Sequence, residues 1–380
     1  MNDLPVISWT ESGDPRSALW RSESTVLPPM RVVIADDSVG ADDAYRLARE
    51  GTAMLWRGDF NNARQMLQAL SRRVDRKPPR EKREAPMPGP SLAEAFQLHR
   101  QSQARRARIL GMLLVTLESD YRIALRRAPD VQQACAEAYG PGKQPSVVPL
   151  RELLGLIGAH EWRKKGVLIP ALHDRVYPHY GVFSPVRGEY VTLVAEAPLP
   201  SQELAFDIGT GTGVLAAVLA RRGVVRVIAT DQDARALACA RENVARLGLN
   251  GQVEVVSANL FPEGRAPLIV CNPPWIPARP SSPLEHAVYD PESRMLLGFL
   301  NGLAAQLEPG GQGWLILSDI AERLGLRTRD ELLTAIEVAG LKVVGKLDVR
   351  PHHPKTLDVA DPLHVARAGE ITSLWRLAAR

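Results

Sequence analysis

The sequence is poor in cysteine and contains no long apolar run. Its three cysteines, Cys135, Cys239 and Cys271, lie far apart and form no paired or metal-ligand spacing. This spacing excludes a disulfide framework and offers no support for a metal site, so we expect reduced, buried thiols and no metal. The longest apolar run, 109–117, is too short to cross a bilayer, which excludes a membrane-spanning protein.

Aromatic residues are also sparse, at 5% of the chain, so no aromatic-rich RNA-binding motif is present. The N-terminus carries Asp3 and lacks the apolar core of a signal peptide, from which we expect a cytoplasmic protein. The 380 residues are enough for two domains, and the composition is that of an ordinary globular chain.

Positive charge is concentrated in the N-terminal part. Between Arg46 and Arg127 there are 18 Lys or Arg and 8 Asp or Glu, an excess of ten, whereas the whole chain carries +4 and the remainder therefore −6. An arginine surplus of this size is compatible with a nucleic-acid partner. Arginine is also a good helix former that solvates surfaces, so both interpretations stay open.

Residues 1–145 are predicted to form a mostly helical, basic substrate-recognition domain. Helical spacing indicates helices over 42–50, 61–74 and 91–127, and Ser91 with Glu94 forms a capping box at the start of the third. A proline-rich loop is expected at 75–90. Residues 146–190 are expected to form a connecting segment.

A glycine-rich turn follows the apolar strand predicted over 203–208. Asp207 is followed by Gly209, Thr210, Gly211 and Gly213, and then by a predicted helix of small apolar residues over 214–222. Glycine permits left-handed backbone conformations and the close approach of a ligand to the main chain. The pattern indicates a nucleotide-type ligand, with a purely structural tight turn as the alternative.

Acidic and polar residues follow the next two predicted strands. Asp231, with Gln232 beside it, ends the strand about 20 residues beyond the glycines, where a carboxylate can accept hydrogen bonds from ribose hydroxyls. Capping of the next helix is the competing role, and the spacing favours Asp233 for it. Asn259 and Leu260, after the third strand, are the candidates for contact with an adenine ring.

The tetrapeptide Asn272-Pro273-Pro274-Trp275 follows the fourth strand, 267–271. Neither proline has an N–H to donate, so the chain must leave the sheet there with a stiff backbone. If the Asn272 side-chain oxygen and the Pro273 carbonyl accept both hydrogens of an amide or amine, the nitrogen lone pair is aimed at an incoming methyl group. Trp275 can stack on the planar group. A surface loop with a half-buried tryptophan is the alternative.

The remaining elements predict an α/β fold with a seven-stranded, mainly parallel Rossmann-like sheet over 191–380. Helices are expected over 290–307 and 330–339, and strands over 313–318, 342–349 and 371–378. In such sheets ligands bind at the carboxyl ends of the strands, where the motifs above lie. His352, His353 and Lys355, between the last two strands, could reach a substrate, although a structural role is the favoured interpretation.

These residues resemble the class I S-adenosylmethionine-dependent methyltransferases, in the branch that modifies nitrogens. The resemblance is specific over about 178–313. It implies that Asp207, Gly209, Gly211 and Gly213 line the methionine moiety, that Asp231 holds the ribose, and that Asn272 to Trp275 receive the target nitrogen. The family usually has aspartate where this chain has Asn259, which puts the adenine contact in doubt.

The segment 180–190 resembles two relatives in which this stretch folds over the cofactor, and it adds Phe183 and Arg187 to the cofactor candidates. Its Gly-Val-Phe-Ser resembles the ribosomal-RNA guanine methyltransferases, and its proline followed by a glutamate resembles the release-factor glutamine methyltransferases. The leading expectation is methylation of an exocyclic base nitrogen in RNA, with ribosomal RNA as the expected substrate, and the alternative is methylation of a protein glutamine of the release-factor type. A cofactor-binding module without activity is a third hypothesis, which the intact glycines and Asn-Pro-Pro turn disfavour.

Overall fold

A β-hairpin begins the chain. In the computed structural model, strands β1 (Val6–Glu11) and β2 (Asp14–Trp20) pair antiparallel across Ser12 and Gly13. Both turn residues have left-handed φ values, 55° and 88°, and a two-residue turn of this kind matches the twist of paired strands. The structure describes residues 5–24, 26–76, 90–280, 285, 287–351, 358 and 361–380.

The hairpin belongs to the first of two units, which comprises the described residues of 5–76 and 97–161. The elements that follow it are β3 (Arg31–Ala35), α1 (Ala41–Arg49), β4 (Thr52–Trp56), α2 (Phe60–Val74), α3 (Leu92–Leu110), β5 (Leu113–Leu117), α4 (Gln132–Tyr139), β6 (Ser146–Pro149) and α5 (Leu150–Lys165). In the described part of this unit the strands form one six-stranded sheet in the order β1-β2-β6-β5-β4-β3. Helices α3 and α5 each contain a boundary between the units.

The prediction of a mostly helical N-terminal domain was wrong, because the unit is built on this sheet. Helices α1 and α2 lie close to the predicted ranges, and Ser91 and Glu94 form the expected capping box. The helix predicted over 91–127 ends at Leu110 and is followed by β5. Strands β4 and β5 are buried on both faces, so they show no polar alternation that would distinguish them from a buried helix.

The second unit comprises residues 90–96 and the described residues of 162–380. Its elements are β7 (Val167–Ile169), a 3₁₀ turn (Pro170–Leu172), β8 (Asp174–Val176), α6 (Glu189–Glu196), β9 (Leu204–Ile208), α7 (Val214–Arg221), β10 (Arg226–Asp231), α8 (Ala234–Arg246), β11 (Val253–Ser257), β12 (Ala266–Cys271), a 3₁₀ turn (Pro291–Ser293), α9 (Arg294–Gln306), β13 (Leu307–Ser318), α10 (Ile320–Arg323), α11 (Arg329–Val338), β14 (Leu341–Val349), α12 (His364–Ala368) and β15 (Thr372–Ala379).

The α/β fold predicted for this unit is confirmed. Among the described residues, seven strands form a sheet in the order β11-β10-β9-β12-β13-β15-β14. The pairs from β11 to β13 are parallel, and β15 is antiparallel to both of its neighbours. The observed strands follow the predicted ones closely except β13, which begins at Leu307 rather than Gly313.

Two apolar layers cover the two faces of this sheet. Alternate residues of β12 show the arrangement, since Leu268 and Val270 belong to the cluster with α6 and α7, whereas Ile269 and Cys271 belong to the cluster with α9 and α11. All three cysteines are free and buried. Because both faces of the sheet are packed against helices, the carboxyl ends of the parallel strands are held in place from both sides.

Several expectations fall on residues that the structure does not describe. Residues 77–89 of the proline-rich loop, and His352, His353 and Lys355, lie outside the described residues. Within the part of the chain that is described, no helix is long and apolar enough to cross a membrane.

Helix α9 offers a test of the packing. Phe299 is fully buried and stacks on Phe261 with ring centroids 5.8 Å apart, whereas Leu297 on the same helix is 40% exposed. We expect Phe299→Ala to lower the free energy of unfolding of the second unit by about 3–5 kcal/mol through loss of burial and a residual cavity. Leu297→Ala is the matched control and should cost about 0.5 kcal/mol. Denaturant unfolding followed by circular dichroism measures both, and equal losses in the two variants would contradict the packing described.

Candidate active site

The glycine turn connects β9 to α7. Gly209, Gly211 and Gly213 have φ values of 71°, 55° and 80°, a region that side-chain-bearing residues rarely adopt. A Cβ at Gly209 would collide with the Met295 side chain, whereas a Cβ at Gly211 would enter open space. The turn therefore needs glycine for its backbone conformation, and at Gly211 it leaves the main chain open to a ligand.

Asp207 is buried beneath this turn, at 1% exposure. One of its carboxylate oxygens, Oδ2, accepts hydrogen bonds from the Thr210 hydroxyl at 2.6 Å and from the Ala216 backbone N–H at 3.1 Å. Burial raises the pKa of Asp207 to about 6, although these two hydrogen bonds act to lower it. The carboxylate thus links the glycine turn to the first turns of α7.

Asp231 ends β10 beside the glycine turn. Its Oδ2 accepts from the Gly211 N–H at 3.1 Å, and its Oδ1 accepts from the Asp233 N–H at 3.0 Å. Burial raises the pKa of Asp231. Asp233 caps α8 by accepting from the Arg235 N–H, so the cap predicted for Asp233 is confirmed.

The residues after β11 are held in an unusual conformation. Leu260 has a left-handed φ of 68°, and its carbonyl accepts a hydrogen bond from the Thr230 hydroxyl at 2.6 Å. This bond fixes the Leu260 backbone beside the end of β10. Asn259 is exposed, and only Leu260 of the two adenine candidates borders the cavity described below.

The Asn272-Pro273-Pro274-Trp275 turn follows β12 directly. The Trp275 indole N–H donates a hydrogen bond to the Asn272 side-chain oxygen, with 2.9 Å between Nε1 and Oδ1. The chain returns through Asp290, whose carboxylate accepts from the backbone N–H groups of Met295 and Leu296. The Asp290 N–H also donates to the carbonyl of Ile276 at 2.8 Å, so the residue after the turn and the start of α9 are connected through Asp290.

A single cavity of about 920 Å³ brings most of the predicted residues together, within the range of roughly 300–1,000 Å³ common for small-molecule sites. The predicted residues that line it are Phe183, Arg187, Gly209, Thr210, Gly211, Asp231, Gln232, Leu260, Asn272, Pro273, Pro274 and Trp275. Asp207, Gly213 and Asn259 are not part of the lining. Asp207 and Gly213 support the turn from behind, through the contacts with α7.

The cavity also contains residues that the sequence motifs do not indicate. Glu370 is 3% exposed, accepts a hydrogen bond from the Ser318 hydroxyl at 2.8 Å, and lies 3.4 Å from the Arg187 guanidinium. An acidic residue just ahead of an apolar strand, as in Glu370 two residues before β15, is the sequence signal that could have indicated it. Asp290, Met295 and Arg367 are further lining residues that the motifs do not indicate.

Among the residues that the structure describes, acidic side chains outnumber basic ones around the cavity. Asp231, Asp233, Glu285, Asp290 and Glu370 line it, against Arg187 and Arg367. The open space at Gly211 and the carboxylate of Asp231 form a cradle suited to the uncharged ribose and the positively charged sulfonium of S-adenosylmethionine. The residues present therefore fit that cofactor.

Comparison with known proteins finds similarity to methyltransferases over part of the chain. Residues 174–323 match the family model described as methyltransferase small domain. A segment is 38% identical over 141 residues to the ribosomal protein L11 methyltransferase of Pelotomaculum thermopropionicum, covering 36% of this chain and 38% of that protein. Another is 35% identical over 179 residues to the release factor glutamine methyltransferase of Cereibacter sphaeroides, covering 43% of this chain and 63% of that protein.

The chain thus spans less than two thirds of the length of these curated relatives. Among solved structures, that of the ribosomal protein L11 methylase from Lactobacillus delbrueckii subsp. bulgaricus is similar with 20% identity and a TM-score of 0.35, covering 51% of this chain and 79% of that one.

The buried carboxylate of Asp207 predicts a pH effect. Its pKa of about 6 in the folded protein lies above the ordinary value of 3.8, so the unfolded chain loses this proton first and the contribution of Asp207 to stability falls as pH rises from about 4 to 6. Asparagine can accept the same two hydrogen bonds without ionising. We expect Asp207→Asn to gain stability relative to wild type between pH 4 and pH 7, as measured by denaturant unfolding at several pH values.

The exposed acid Asp330 on α11 provides the matched control, and Asp330→Asn should leave the pH profile of wild type nearly unchanged over this range. Parallel profiles for wild type and Asp207→Asn would contradict the assigned burial effect.

Proposed function

We propose that this chain, whose residues 174–323 match the methyltransferase small domain model, is an S-adenosylmethionine-dependent methyltransferase that transfers a methyl group to a side-chain amide nitrogen of a protein. The observation that carries the proposal is the shared cavity, in which the glycine turn and the Asn272-to-Trp275 turn face the same space. The named relatives act on a ribosomal protein and on a release factor, which favours a protein acceptor over RNA.

The basic N-terminal surplus gives the RNA alternative less support than its size indicates. Within the first unit, acidic partners lie within 4 Å of Arg46, Arg57, Arg73, Arg106, Arg122, Arg126 and Arg127. Asp59 alone, with its side chain fully buried, pairs with Arg126 and Arg127. These pairs direct seven of the arginines toward carboxylates inside the unit rather than toward an open phosphate-binding face.

The acid-rich lining of the cavity supports the same preference. An RNA acceptor brings a phosphate with every nucleotide, and the surplus of carboxylates around the cavity would repel it. A glutamine amide carries no charge and avoids this repulsion. The amide nitrogen also needs both of its hydrogens held, and the Asn272 turn offers two oxygen acceptors for them.

In the proposed reaction S-adenosylmethionine supplies an electrophilic methyl group. The Asn272 side-chain oxygen and the Pro273 carbonyl accept the two N–H hydrogens of the acceptor amide and orient its nitrogen lone pair. The aromatic ring of Trp275 borders the space for the planar amide. As the nitrogen–carbon bond forms and the sulfur–carbon bond breaks, the nitrogen becomes acidic and loses one proton to solvent. Alignment of the reactants is the main contribution of the protein.

Methyl transfer from isotopically labelled S-adenosylmethionine tests the proposal. We expect label in a glutamine side chain of a release factor, with ribosomal protein L11 assayed in parallel, and we expect Asn272→Ala to lower kcat/KM by about 100-fold or more because the acceptor nitrogen is no longer oriented. Cofactor affinity, measured by calorimetry, should change little.

Asn301→Ala, an exposed asparagine on α9, is the matched control and should retain wild-type activity. Undermodified RNA is assayed in parallel. Label in RNA and none in protein would overturn the proposal in favour of the base-nitrogen alternative, whereas label in neither, with intact cofactor binding, would exclude both acceptors.

A further inference from the structure

The hydrogen bond between Trp275 and Asn272 has a direction that the chemistry of the two side chains imposes. Indole Nε1–H is a donor only, so the Asn272 atom that faces it, 2.9 Å away, must be the carbonyl oxygen. An amide has two ends of similar size, and only one of them accepts hydrogen bonds. Trp275 therefore determines the orientation of the Asn272 amide, with its oxygen rather than its nitrogen beside the indole.

Packing holds the indole in place. Trp275 is half-buried and contacts three apolar clusters of the second unit. One of them contains Phe96, Ile320 and Leu324. Because the Trp275 ring is already held on several sides, it loses little conformational freedom when its N–H donates to Asn272. The N–H therefore holds the Asn272 amide in a fixed orientation.

We propose that Trp275 is a positioning residue that acts through Asn272, by holding the amide of Asn272 with its oxygen available to the acceptor nitrogen. The Asn272 oxygen has two lone pairs, of which the indole takes one and the acceptor N–H takes the other. Phenylalanine or tyrosine at this position would supply the aromatic ring without an N–H placed there. This inference rests on the proposed function and adds a second role to the ring of Trp275.

The test uses Trp275→Phe in two backgrounds. In the wild-type background it removes the N–H and keeps an aromatic ring, and we expect kcat to fall about five- to tenfold, the size of one net hydrogen bond. KM for the cofactor and thermal stability should stay within about twofold and a few degrees, respectively. In the Asn272→Asp background the two carboxylate oxygens are equivalent, so no end needs to be selected. There Trp275→Phe should lower kcat less than about twofold.

Trp162→Phe, which changes a 58% exposed tryptophan, is the matched control and should leave kcat unchanged. The indole N–H signal of Trp275 in a ¹⁵N-labelled protein, assigned by its absence in Trp275→Phe, provides a readout that needs no acceptor. We expect this signal to shift and its hydrogen to exchange faster in Asn272→Ala.

Equal losses of kcat for Trp275→Phe in the two backgrounds would overturn the inference and leave stacking or packing as the role of the ring. An indole signal that is unaffected by Asn272→Ala would also overturn it. Absence of methyl transfer by the wild-type protein would instead be a failure of the proposed function, and the two failures are therefore distinguishable.

Discussion

The carboxylate of Asp207 is the point on which the site depends. It lies at the end of β9, the strand in the middle of the parallel part of the sheet, and one oxygen accepts from both the glycine turn and the start of α7. A charged group in this environment is destabilised by burial, as its raised pKa indicates. The protein retains a costly buried acid where it shapes the backbone that faces the cavity, which is a common arrangement at functional sites.

The remaining parts of the cavity are brought together by topology. Strands β9, β10 and β12 are parallel neighbours, so their carboxyl ends lie at one edge of the sheet. Asp231 and the Asn272 turn follow two of these strands and flank the glycine turn from opposite sides. Glu370 approaches from the antiparallel side of the sheet, where Ser318 ends β13 and donates to it.

The second unit was predictable because its motifs coincide with changes in periodicity. A short apolar run precedes the glycines, Asp231 and the two prolines. The end of each run predicted the end of a strand to within one or two residues. Glu370 was not predictable in this way, since its position in the cavity depends on Ser318, 52 residues away. Asn259 was instead predicted to contact the adenine from its position after the third predicted strand. Its side chain is exposed and lies outside the cavity lining.

In the first unit, local sequence was misleading for a physical reason. Leu113–Leu117 and Thr52–Trp56 are buried on both sides, and their apolar residues follow helical patterns as well as strand patterns. Only pairing with distant strands decides between the two.

The acid-rich wall of the cavity has a consequence for turnover. In the proposed reaction the bound cofactor begins with a sulfonium charge and ends as a neutral thioether, while the carboxylates around it stay in place. The electrostatic attraction that favours the donor is therefore lost with the chemical step. In that reaction the side chains that disfavour a phosphate-bearing acceptor also favour binding of the charged donor over its neutral product.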